Sequence, residues 1–345
     1  MARMNKNYGL FGLGVQGARG TAANAPTASF HASADSDGMS AEKTLGSIKL
    51  TKGSPVDVAS YVEEIATKFG VTTLAFPDLV GLLLLAACGK DIVTGGTDGI
   101  YTHTIKCAND LPYLTIFEQK GSADSDISTM KDAKVDSLTI TAEGNKPLAL
   151  AMTLNGCKMA WDNGNSAWPG DPFDIGIGYF VLADAQVLFS LSTGEPVAVP
   201  AGIILSKLEV AIANSVEAKA PLGSASPIDQ VEKGSVISVA IEGTSDSTEM
   251  YRETTTGSKT GEDVASSVIT GSIQITLKHV SDPDQLLVIK IPAIPWKCDV
   301  MGVSTDGGDF ELKLSTDGAL DLGDGPVTFI LSNEVADYLP AVPTE

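Results

Sequence analysis

Lys134–Gly156 reads KVDSLTITAEGNKPLALAMTLNG, and this stretch decides the fold. Leu138 and Ile140 alternate with Ser137, Thr139 and Thr141. After Glu143-Gly144-Asn145-Lys146-Pro147, Leu148, Leu150, Met152 and Leu154 alternate with Ala149, Ala151, Thr153 and Asn155. Alternation of period two puts one face in a core, and Gly, Asn and Pro between two such runs make the turn that joins neighbouring strands. Just upstream, Leu111–Glu118 supplies another strand that ends in a polar loop.

Outward from this hairpin the same pattern recurs. Strands are expected at Leu45–Leu50, Tyr101–Cys107, Tyr113–Glu118, Val135–Thr141 and Leu148–Leu154. From Ile203 onward, alternating runs centre on Val210, Val239, Ile275, Ile289 and Leu312. Two helices are expected. The first starts at Ser54-Pro55-Val56-Asp57, an N-cap with Pro at the first turn, and carries Val58, Val62, Ile65, Ala66 and Phe69 as one stripe up to Gly70. The second runs from Pro77-Asp78 to Cys88-Gly89 and is apolar on most sides, which suits a core helix. Gly121–Lys134 and Thr244–Asp263 read as long polar loops, and Trp161–Gly178 as a Gly/Pro/Asp-rich connector. The expected fold is mainly β, a sandwich or barrel with one or two flanking helices. Residues 1–45 form an extended arm, 46–200 a first β domain, and 201–345 a second β-rich half whose similar strand set suggests an internal duplication.

Composition narrows the function. The chain has 345 residues, with 23 Lys+Arg against 43 Asp+Glu, a net charge of -20. Such a surface repels a polyanion and argues against ordinary nucleic-acid binding. Cys88, Cys107, Cys157 and Cys298 lack metal-ligand spacing and read as reduced and mostly buried. The N-terminus MARMNKNYGLFGLG has no signal-peptide core, so synthesis and folding in a cytoplasm are expected. The longest apolar run, Leu79–Cys88, has ten residues where a bilayer needs about twenty.

Chemistry-bearing motifs are sparse. Gly12-Leu13-Gly14-Val15-Gln16-Gly17 spells G-x-G-x-x-G, but no buried strand is expected before it and no helix after it, so it reads as arm rather than dinucleotide loop. His31 falls in the arm, while His103 and His279 alternate with apolar residues and read as solvent-facing strand histidines. Asp35-Ser36-Asp37-Gly38 and Asp306-Gly307-Gly308-Asp309 lack the bidentate Glu that completes a calcium loop. No catalytic, cofactor or metal site is expected, and the chain does not read as an enzyme.

One family unites these features. The order is Gly17-Ala18-Arg19-Gly20-Thr21-Ala22-Ala23, a helix ending Ala86-Ala87-Cys88-Gly89, then Tyr101-Thr102-His103-Thr104. It continues with Leu111-Pro112-Tyr113-Leu114-Thr115-Ile116, Lys134-Val135-Asp136-Ser137-Leu138-Thr139-Ile140 and Lys207-Leu208-Glu209-Val210-Ala211-Ile212-Ala213-Asn214. Over roughly residues 8–320 this resembles the major tail tube protein of long-tailed bacteriophages. The departure is Asp132-Ala133, where the pattern often has Gly.

The resemblance implies a β-sandwich whose copies form rings that stack into a tube conducting DNA to the host. The chain's place would be the virion, with other tail proteins at the tube ends and the duplex passing without specific binding. A wall around a duplex about 20 Å wide needs a backbone circle of roughly 35 Å, or about eighteen tilted strands, so several copies must pair edge to edge. Three copies of a duplicated unit or six copies of a single one satisfy this. The arm, the first polar loop and the polar insertion are then the contact elements, with Leu10, Phe11, Val15, Ser122, Asp124, Asp126, Ile127, Met130, Met250 and Tyr251 as candidate contact residues. On this reading, deleting residues 122–132 leaves a folded monomer that cannot polymerise. The alternative is a β-rich capsid decoration or tail-fibre module that binds host glycans through Trp161, Trp168 and Trp296.

Overall fold

Most of the chain is organised by strands that bury alternate side chains. The computed structural model describes residues 9–31, 36–48, 59–97, 99–120, 127–162, 168–169, 178–192, 194–299 and 309–339. Gly9–Val15 (β1), Ala28–His31 (β2), Gly38–Ile48 (β3) and Ala59–Leu74 (β4) come first. The helix Pro77–Cys88 (α1) leads into Gly89–Thr97 (β5), Ile100–Cys107 (β6) and Leu114–Lys120 (β7). Ile127–Glu143 (β8), Ala149–Gly156 (β9), Lys158–Trp161 (β10) and Phe180–Ser190 (β11) follow. Then come Val197–Ala198 (β12), Ile203–Ala213 (β13), Val216–Lys219 (β14), Asp229–Glu232 (β15) and Val236–Ser245 (β16). After the helix Glu249–Thr256 (α2) lie Thr270–His279 (β17), Leu286–Pro295 (β18), Lys297–Cys298 (β19), Phe310–Thr316 (β20) and Thr328–Asn333 (β21).

Two large antiparallel sheets carry the fold. The larger follows β19-β20-β16-β13-β8-β7-β1-β2, with β9, β4, β3 and β10 attached beside β8. The smaller runs β12-β11-β17-β18-β21-β6-β5. β8 is the hinge of the larger sheet. Its first part pairs with β7 and β10, and its second with β9 and β13. Between them Asp132 has φ 53, a left-handed conformation where the β7 register shifts, so the strand changes partners at a bulge. Beyond the bulge, side chains line up across strands. One row is Val71, Met152, Leu138, Ile212 and Ile237, all buried. Cross-strand rows of this kind are the unit of sheet stabilisation.

α1 lies between the sheets, touching β8 of the larger and β5, β6 and β21 of the smaller. Every residue in it except Asp78 is buried. Pro77 opens it, and Gly89, at φ 90, closes it by donating its amide to the Leu85 carbonyl. Leu82, Leu83 and Leu84 are fully buried, and each contributes about 1.5–3 kcal/mol relative to exposure. Among the described residues no helix is long and apolar enough to cross a membrane.

The mainly β architecture with two helices matches expectation, but several segments do not. The helix expected over 54–69 is instead strand from Ala59 onward, with Thr67, Phe69, Val71 and Thr73 buried alternately where β4 pairs with β9. The extended arm contains a core strand, because β1 is inserted between β7 and β2 with Leu10 through Val15 all buried. Residues 127–134 belong to β8 rather than to a loop, so deleting 122–132 would remove buried Ile127 and Met130 and damage the core. The polar insertion contains α2, which turns Met250 inward. The boundary at residue 200 does not divide the sheets, since each draws strands from both sides and one buried cluster spans them.

Candidate assembly surface

β3 and the first half of β4 form a ribbon that leaves the body of the sheet. β4 has sixteen residues, but β9 pairs only with Thr67–Leu74. Residues Ala59–Ala66 therefore have β3 as their one strand partner among the described residues. At about 3.4 Å per residue, that unsupported length is about 25 Å. Among the described residues β3 pairs with β4 alone, which leaves one edge of an eleven-residue strand open.

The root of the ribbon is fixed firmly. The Met39 amide donates to both oxygens of the buried Glu118 carboxylate at 3.2 Å, and Lys120 Nζ lies 3.1 Å from the same group. Burial raises the Glu118 pKa despite those two partners. The Thr72 amide donates to Ser36 Oγ at 2.9 Å, and Thr67 Oγ1 donates to the Gly156 carbonyl at 2.5 Å. Further out, the Ile65 amide donates to the Ala225 carbonyl at 2.8 Å.

Past that point both faces of the ribbon are open. Leu45 is 63% exposed, Tyr61 51%, Ile48 44% and Val62 41%. Leu45 stands opposite Val62, and Gly46 opposite Tyr61. The Tyr61 ring covers Gly46 so closely that a Cβ there would overlap it. Glu42, Lys43, Glu63 and Glu64 surround these apolar side chains and are exposed. A two-stranded hairpin is marginal in water by itself, and one with apolar residues on open faces gains most from a covering partner. β5 is another long open edge among the described residues, for it pairs only with β6 and carries Ile92 at 44% exposure.

The contact residues expected from sequence that fall among the described residues are not on this surface. Leu10, Phe11, Val15, Ile127, Met130 and Met250 are buried in the chain itself, and Tyr251 is half-buried against the core. Ser122, Asp124 and Asp126 lie outside the described residues. Tyr61 and Val62 were hidden by the helical reading of 54–69, whereas Leu45 and Ile48 fall in the strand expected at Leu45–Leu50.

Other chemical groups are engaged structurally. His103 is fully buried, contrary to the solvent-facing expectation. Its Nδ1 lies 2.6 Å from Asp91 Oδ2 and its Nε2 2.8 Å from the Val335 carbonyl, so both ring nitrogens are occupied. Parity explains this, because His103 shares a face with Ile105 and continues the row Leu277, Leu287 and Leu331. His279 is half-buried, and its Nδ1 accepts the Asp282 amide at 2.9 Å. His31 is exposed, and its Nδ1 lies 2.9 Å from the Gly9 carbonyl.

The first two glycines of the G-x-G-x-x-G run serve close packing. A Cβ at Gly12 would sit 2.7 Å from Pro26 Cγ, and one at Gly14 would sit 2.8 Å from the Ala25 carbonyl oxygen. The three tryptophans do not share a platform. Trp161 is exposed, whereas Trp168 Nε1 donates to Ser29 Oγ and buried Trp296 donates to the Ser190 carbonyl. Among the described residues no group of three or more His, Cys, Asp and Glu could hold a metal ion; Asp35 and Asp306–Gly308 of the acidic turns lie outside them. No protein-family model matches the chain, and no curated protein matches it.

Proposed function

We propose that the chain is a structural subunit of a long-tailed bacteriophage tail tube, closing into rings that stack into a hollow conduit for DNA. The observation that carries this reading is the β3–β4 ribbon, rooted rigidly in the sheet yet open along one edge and on both faces. An isolated edge of that length is a hazard unless another chain completes it. Another open edge, on β5, lies on the other sheet. Two different edges allow head-to-tail contacts, and these close into rings or continue as filaments. A wall of about eighteen strands needs three copies giving six each, or six copies giving three.

The charge of -20 fits a conduit that does not hold its cargo, because a negative lumen repels phosphate. No reaction is assigned to the chain. Other tail proteins would meet the tube at its ends in the virion. Negative-stain microscopy of the purified chain tests the reading. Hollow tubes or stacked rings with a lumen wide enough for a duplex are the expected result. Monomers at high protein concentration would count against it.

A further inference from the structure

Cys88 ends α1 and Cys107 ends β6, and the fold brings the two ends together. Gly89, directly after Cys88, is paired with Cys107 across the β5–β6 ladder. The Ala108 amide donates to the Cys88 carbonyl at 2.6 Å. The two thiols are close enough to influence one another, and both are free. Their access to solvent differs. Cys88 is 1% exposed, whereas half-buried Cys107 lines a cavity of about 460 Å³ that Glu232, Lys233, Ser235 and Asp321 also line. Cys157 and Cys298 instead point at the backbone carbonyls of Asp132 and Asp299.

We propose that Cys107 and Cys88 form an exchange-active dithiol that low-molecular-weight disulfides reach through this cavity, and that it closes to an intramolecular disulfide. The Cys107 thiolate attacks one sulfur of the small disulfide. That S–S bond breaks, and the departing thiolate takes up the proton that Cys107 gave up. Cys88 then loses its proton and attacks the Cys107 sulfur, expelling the second small thiol. Two electrons pass from the protein to the small disulfide, which leaves as two thiols.

The order of attack follows from the environments. The neighbouring Cys88 thiol holds the Cys107 pKa below the ordinary thiol value, while Cys107 and burial hold Cys88 well above it. The outer sulfur is the nucleophile and the inner one resolves the mixed disulfide. Closure ties the C-terminal end of α1 to the smaller sheet.

The test uses the folded full chain and cystamine, a cationic disulfide suited to a cavity lined by Glu232 and Asp321. After acid quench and alkylation, intact mass and peptide mapping should show loss of two hydrogen atoms and a Cys88–Cys107 linkage. Cys88→Ser should stop at a mixed disulfide between Cys107 and one cysteamine half, and Cys107→Ser should leave Cys88 unmodified. The oxidised chain should melt at a higher temperature than the reduced one. A wild-type chain whose thiols react only after denaturation would overturn the proposal. So would a stable adduct at Cys107 with no linkage, and neither result depends on a variant folding.

Discussion

Removing the carboxylate at position 91 separates a buried ion pair from an ordinary packing contact. The His103 side chain is 0% exposed and that of Asp91 3%, with 2.6 Å between Nδ1 and Oδ2. The Val335 carbonyl can only accept, so Nε2 carries a proton, and Nδ1 donates a charge-assisted bond to the carboxylate. Asp91→Ala leaves that nitrogen buried without its partner, a loss of about 3–5 kcal/mol for a broken buried pair. Asp91→Asn behaves differently, because its amide can donate to the Nδ1 of a neutral imidazole, at a cost of about 1 kcal/mol.

Burial lowers the His103 pKa most, but the Asp91 side chain, the Val335 carbonyl and Asn333 together outweigh it, and the net direction is up from 6.5. A raised folded value means the pair's contribution is fully present below the unfolded pKa. It is lost as pH rises through the folded one. Urea denaturation of wild type and both variants between about pH 6 and pH 9 reads these effects. Wild type should lose stability toward the alkaline end, and Asp91→Asn should flatten that slope. An Asp91→Ala cost below about 1 kcal/mol, or an Asp91→Asn variant with the slope intact, would refute the reasoning.

Three further outcomes follow from burial and exposure. Phe11→Ala should destabilise by about 3–5 kcal/mol in denaturation, because Phe11 packs on Phe30 and Phe69 rather than hanging from an arm. Gly81→Ala places a Cβ on the buried Tyr338 ring, so limited proteolysis should cut faster near residues 335–339. Leu45→Lys combined with Val62→Asp touches only exposed positions and sets opposite charges across the ribbon. Thermal melting should therefore move little, within about 0.5 kcal/mol per site, while tubes vanish from micrographs.

The hairpin at 134–156 was legible because its alternation has the right period on both arms, and Lys134–Thr141 does pair with Ala149–Asn155. α1 was legible from Pro77, Gly89 and the apolar run between them. β4 was not, for a physical reason. Ile65 and Phe69 are four apart, a spacing that fits a helical face and a strand face equally, and the Pro55 signal tipped the reading. Pairing with β3 and β9 outweighed it. β1 was missed because Gly12 and Gly14 lower strand propensity, and the close neighbours that require them, Pro26 and Ala25, are visible only in three dimensions. The burial of His103 was available from its shared parity with Ile105. The open ribbon was not, since which strand lies at an edge depends on long-range pairing.

Hydrogen–deuterium exchange at β3 tests the central claim most directly. Beyond Met39, whose amide is held by Glu118, alternate amides of β3 out to Ile48 face an open edge in the single chain. Completion of that edge by a second copy predicts slow exchange there in assembled particles and fast exchange in dilute monomer. Equal, fast exchange of those amides in both states would contradict it.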